Sequence, residues 1–237
     1  MEKLEAHQKC LKNIQNVLNK MNKNKIIIPK SILLLIILAV VLNILRVVLF
    51  DKFSLIYILW NIFLASIPFL ISSILLWFAN NDKLKKSLFI VGGILWLLFI
   101  PNAPYIVTDL IHIGEIRAVP ALYDSFLLFS SAWVGLLLGL YSIHHIEQIL
   151  RRKYSQKVAY ITLSVIMLFI SFGVYVGRFL RFNSWDIFEN PLSFINGVGE
   201  VFSNRSNSIE ALLYTGLFLF FIVMSYNSWR TTQTQTR

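Results

Sequence analysis

The sequence predicts an all-α, polytopic integral membrane protein. It has about six transmembrane helices and a further re-entrant or interfacial helix after a Pro-Asn-Ala-Pro motif. Three observations carry that reading. Hydrophobic residues make up 57% of the 237-residue chain and charged residues only 14%, whereas a soluble domain carries roughly 25% charged residues. Six stretches are apolar over the ~20 residues that a helix needs to cross a bilayer core. Basic residues are concentrated in alternate connections between those stretches.

The stretches follow in order. Residues 31–50 form the first, with Asn43 and Arg46 as its strongly polar members. Residues 53–79 carry no charge and are long enough to span with tilt, Pro68 marking a kink. Residues 87–100 are short, and reach spanning length only by running on through Pro101-Asn102-Ala103-Pro104 toward Val107. Residues 122–143, interrupted near their start by Asp124, are the fourth; 158–177 and 211–229 complete the set. Helices satisfy their own backbone hydrogen bonds, as the bilayer interior demands. The runs lack period-two alternation, which disfavours a transmembrane β-barrel.

Lys and Arg near helix ends set orientation. Sixteen of them fall before the first stretch, in the second and fourth connections and in the tail, beside four acidic residues. The first, third and fifth connections hold five basic and eight acidic residues. Six crossings then place both termini in the cytoplasm and the chain in the cell membrane. The net charge of +10 is therefore an orientation signal and not a nucleic-acid footprint. Membrane lipids are the expected partners, and nucleic acid is not.

The chain divides into a basic cytoplasmic leader (residues 1–30), a membrane domain (31–229) and a cytoplasmic tail (230–237). Cys10, Leu11, Ile14, Val17, Leu18 and Met21 recur at helical spacing in the leader. That is the pattern of a basic amphipathic helix on the inner membrane surface, or of a plain basic tail. A single cysteine excludes an intrachain disulfide framework. The Thr/Gln-rich end after Arg230 reads as disordered.

Polar groups inside a membrane cost free energy, so their positions inform. They gather toward the outer side: Asn43, Arg46, Asn61, Asp124 and the segments 101–112 and 177–186. Two prolines three residues apart predict a broken helix with unpaired carbonyls. After Pro104, Thr108, Asp109, His112 and Glu115 share one helical face, opposed by Ile106, Leu110, Ile111 and Ile113. This describes a re-entrant helix presenting Asp109 and His112 to a cavity, or an interfacial helix facing water. Asp109 and His112 are the candidate catalytic pair, a general base with its orienting acid. They could equally begin a metal site with Asp124 or Asp186 as third ligand, but the spacing assigns no metal and no cofactor.

Arg178 and Arg181, at i, i+3, suit bidentate binding of phosphate or carboxylate. An anionic lipid headgroup is the expected ligand; pairing with Asp186, Asp109 or Asp124 is the structural alternative. Asn102, Asp124, Asn183 and Asp186 complete the candidate substrate-binding set. Arg46 reads as snorkelling outward. His144 and His145 read as interfacial, pointing ~100° apart. The Gly135/Gly139 and Gly173/Gly177 pairs are GxxxG patterns, suited to close packing within the chain. No HExxH, GxSxG, Walker or Cys-cluster motif occurs.

The run Phe99-Ile100-Pro101-Asn102-Ala103-Pro104-Tyr105-Ile106-Val107-Thr108-Asp109-Leu110-Ile111-His112, then Tyr123-Asp124, then Gly177-Arg178-Phe179-Leu180-Arg181-Phe182-Asn183-Ser184-Trp185-Asp186, resembles a family of bacterial multi-pass membrane proteins. That family is catalogued only as a domain of unknown function. The similarity runs from about residue 40 to about residue 225. The resemblance implies a multi-pass membrane protein and points to the same segments, and it supplies no mechanism.

Three function classes follow. The first is an enzyme acting on a lipid or lipid-linked anionic group, with Asp109 and His112 doing the chemistry and Arg178 and Arg181 holding the head. The second is a structural or assembly partner in the membrane, which would tolerate changes at Asp109 and His112. The third is a small transporter, which needs polar residues continuing to the inner face. The inner halves read as nearly uniformly apolar, with Ser72 and Ser73 among few exceptions, which counts against conduction.

Overall fold

The computed structural model describes residues 30–113 and 119–235. The leader pattern around Cys10, and Glu115, lie outside the described residues. All the regular elements there are helical. They are α1 (Lys30–Phe50), α2 (Tyr57–Asn80), α3 (Lys86–Phe99), α4 (Asn102–Tyr105), a 3-10 helix (Ile106–His112), α5 (Ala121–Lys153), α6 (Gln156–Phe179), α7 (Asp186–Glu189), α8 (Pro191–Ser203) and α9 (Arg205–Gln235). Among the described residues, six helical runs are long and apolar enough to cross a membrane, the third being Lys86–His112 taken as one. The chain is a multi-pass membrane protein.

Its axis is α5. The 33 residues extend about 50 Å, longer than a hydrocarbon core, and it is the most buried of the six spans. Ser130, Ser131, Ala132, Gly135, Gly139 and Ser142 keep its surface low, so α2, α1, α4 and the 3-10 helix all pack on it. α6 and α9 pair on the flank. α1 and α9 turn Leu34, Val48, Leu212, Leu217 and Phe220 outward. Lipid tails are as apolar as these side chains, so such a surface suits a bilayer.

The prolines do not break the third span. Pro101 has φ −59°, a helical value, and Tyr105 N–H donates to its carbonyl at 3.1 Å. Pro104 offers no N–H to the Ile100 carbonyl, but Ala103 N–H takes that acceptor at 3.1 Å. The i, i+3 bond tightens the turn, and the chain continues as 3-10 helix from Ile106 to His112. The segment is thus the end of a spanning helix. The two GxxxG faces hold it from either side. A Cβ on Gly135 would lie 2.6 Å from the Ala103 carbonyl oxygen, and one on Gly173 would lie 2.5 Å from Pro101 Cγ.

Further expectations are corrected. α8 has no counterpart among the six apolar stretches; it follows α7 and packs on α9. The last helix begins at Arg205, before residue 211, and runs to Gln235 through the end expected to be disordered. There Thr231 and Thr232 hydroxyls donate to the carbonyls of Ser228 and Trp229 one turn back. Arg46 does not snorkel. It is 1% exposed, and its Nε and Nη2 donate to the two Asp124 carboxylate oxygens at 2.8 and 3.2 Å. A buried charge needs a partner of that kind.

The end of the bundle opposite the proline motif is also polar inside, against expectation. Glu147, 2% exposed, accepts from Arg151 Nε at 2.8 Å and from the Tyr226 hydroxyl, and pairs with Arg230 at 3.2 Å. His144 lies 3.4 Å from the same carboxylate. His145 Nδ1 approaches the Ser72 hydroxyl at 3.2 Å, and Ser72 accepts from Ser142, which accepts from Trp96. Both histidines are half-buried within the bundle and turned to different partners.

Candidate functional site

In a 3-10 helix the side chains at i and i+3 eclipse. Ile106, Asp109 and His112 therefore stand along one edge, with Ile106 against Gly135 of α5. Asp109 is 1% exposed, so its carboxylate needs neutralising partners. Asn61 Nδ2 donates to Oδ2 at 2.8 Å, and Arg178 Nη1 donates to Oδ1 at 3.3 Å. Arg178 also places Nη2 3.3 Å from His112 Nε2. A guanidinium only donates, so in this contact Nε2 is the acceptor. The Tyr57 ring meets the His112 imidazole edge to face, with centroids 6.1 Å apart. Three helical runs far apart in sequence thus meet at Asp109.

Beside this cluster lies a cavity of about 420 Å³. Leu97, Leu98, Phe169, Phe172, Val176, Phe182, Ile187, Phe194 and Val198 make most of its wall, and Trp60, Asn61, Asn102, Tyr105, Asn183 and Ser184 supply its polar and amphipathic groups. Asn61 belongs both to the wall and to the Asp109 cluster, so it joins the two. Gly173 and Gly177 line the same wall. α8 contributes Phe194 and Val198 on one side while Leu192, Ile195 and Phe202 face outward. A mostly apolar concavity with a few convergent polar groups is the usual form of a small-molecule site.

The candidate residues fall into three groups. Asp109, His112 and Arg178 are brought together. Asn102 and Asn183 line the cavity: Asn102 Nδ2 donates to the Phe99 carbonyl and to Ser184 Oγ, both at 2.9 Å, and Asn183 N–H donates to Asp186 Oδ2 at 2.6 Å. Asp186 therefore fixes the loop that presents Asn183. Asp124 is engaged by Arg46. Arg181 is exposed, directly before the cavity residue Phe182, with a left-handed backbone at φ 58°. Among the described residues no three of His, Cys, Asp and Glu converge as metal ligands would.

Asn61, Tyr105, Ser184 and Trp60 were not among the sequence candidates. Asn61 carried a usable signal, an amide set two turns inside an uncharged apolar run. Tyr105 and Ser184 lie in the segments 101–112 and 177–186 already singled out, whereas Trp60 carried no signal, because only the tertiary fold places it on the cavity.

No curated protein and no solved structure matches the chain. The model of a family described as "Protein of unknown function (DUF1361)" matches residues 60–225, a range that contains the cavity and the Asp109 cluster and begins after Arg46. The chain belongs to that family.

Proposed function

We propose that this protein binds a lipid or lipid-linked molecule at the outer leaflet of the cell membrane and acts on it through Asp109 and His112. The observation that carries the reading is the apolar cavity abutting the Asp109–Arg178–His112 cluster through Asn61. The alternating basic connections support a cytoplasmic position for both termini, which puts the cavity on the outer side. The apolar wall takes the chain, and the head lies toward Arg178 and Arg181. Arg178 spends two of its five N–H donors on Asp109 and His112. An anionic head competing for Arg178 would free the Nε2 lone pair of His112. That nitrogen then takes a proton from a water or hydroxyl at the head, while Asp109 balances the resulting charge.

The test compares lipid extracts of cells lacking the protein with cells complemented by wild type, Asp109→Asn or His112→Gln at matched protein levels. Wild type is expected to reverse a specific lipid change that neither variant reverses. Full reversal by both variants overturns the catalytic reading and favours a structural or assembly role.

A further inference from the structure

Two amide groups in the cavity have their orientation fixed by what they donate to. Asn61 Nδ2 faces the Asp109 carboxylate at 2.8 Å, and Asn102 Nδ2 faces the Phe99 carbonyl at 2.9 Å. Both acceptors lack protons, so in each case the nitrogen is the group turned inward to the protein. The oxygens, Asn61 Oδ1 and Asn102 Oδ1, accept no hydrogen bond among the described residues. Among the described residues no charged side chain lines the cavity. Trp60 and Tyr105 add an indole N–H and a hydroxyl to the same wall, so its polar surface both accepts and donates, as a hydroxyl does, and carries no cation to neutralise a bare phosphate.

We propose that the bound lipid carries a hydroxyl-bearing head, a glycerol or sugar, whose hydroxyls donate to Asn61 Oδ1 and Asn102 Oδ1 while its chain lies against the apolar wall. The inference rests on the lipid reading above and narrows it. Tyr105 and Trp60, on the same wall, offer ring faces that suit the C–H surfaces of a polyol. Any anion on the same head stays outside the cavity, toward Arg178 and Arg181. The substrate class is a polyol-headed lipid, with or without a phosphodiester.

The test uses the full chain, unmodified, in nanodiscs of phosphatidylcholine doped with equal mole fractions of phosphatidylglycerol, phosphatidic acid and glucosyldiacylglycerol. Native mass spectrometry reads which lipid leaves with the protein. Phosphatidylglycerol is expected to be enriched about tenfold over phosphatidic acid, the value of two added hydrogen bonds. Glucosyldiacylglycerol retained as well as phosphatidylglycerol, with phosphatidic acid excluded, also supports the polyol head and removes the anionic contact. Phosphatidic acid retained as well as phosphatidylglycerol overturns the polyol inference and leaves the anionic-lipid reading standing. No lipid enriched above its bulk fraction overturns both.

Discussion

Arg46 and Asp124, 78 residues apart in sequence, meet side-on with both side chains at most 2% exposed. The guanidinium also donates to the Lys52 carbonyl and the Ser54 hydroxyl, so the pair clamps the end of α1 to the start of α5. Removing one partner strands a buried charge. Arg46→Met is expected to cost about 3–5 kcal/mol of stability, and Arg46→Met with Asp124→Leu to recover most of it. Thermal unfolding in detergent measures both. Equal loss in the single and double variants would show that the pair is not coupled.

The glycines divide sharply by what surrounds them. Gly135→Ala and Gly173→Ala would push a Cβ to within 2.6 and 2.5 Å of the proline segment. Each is expected to destabilise by about 1–3 kcal/mol through overpacking. Gly93→Ala, with open space around it, is expected to be neutral or stabilising by up to about 1 kcal/mol. The surviving fraction after heating separates the two classes.

Arg181 occupies the left-handed position that ends a helix, where glycine is the ordinary residue. Asp51 and Asp82 sit in the same conformation after α1 and α2, but aspartate tolerates it better than arginine. Arg181→Gly should therefore raise stability by about 1 kcal/mol. If Arg181 holds the anionic head, the same variant retains phosphatidylglycerol several-fold less well. Higher stability with unchanged retention would remove Arg181 from the site.

Glu147 is the hub of the opposite end, joining α5 to α9 through Arg230 and Tyr226 and holding Arg151 of its own helix. Glu147→Gln leaves two guanidiniums near Tyr160 without their shared anion. It is expected to destabilise by about 3 kcal/mol and to speed amide exchange around Tyr226 more than around Asp109. Equal acceleration at both ends would show that the network does not act locally.

The spans were legible because lipid imposes one rule on every exposed residue, and a run of about 20 continuously apolar residues is rare in a chain that folds in water. The proline segment was legible in place and not in form. Sequence shows where N–H groups are missing, but not that Ala103 supplies the Ile100 carbonyl instead. α8 escaped because its 13 residues are too few to cross a bilayer core, so a reading built on spanning runs passes over it. Asp109, His112 and Arg178 were each visible as costly polar residues. Their meeting, like the Arg46 pairing with Asp124, depends on contacts between segments that local periodicity does not encode.

The central claim, that a lipid chain enters the cavity, is tested most directly by photolabelling. The protein is reconstituted with phosphatidylglycerol bearing a diazirine near the end of its acyl chain, irradiated, and mapped by peptide mass spectrometry. Labels on Phe172, Val176 or Phe194 in the cavity wall, competed away by excess unlabelled phosphatidylglycerol, are the expected result. Labels confined to the outward-facing Leu212, Leu217 and Phe220 would contradict it.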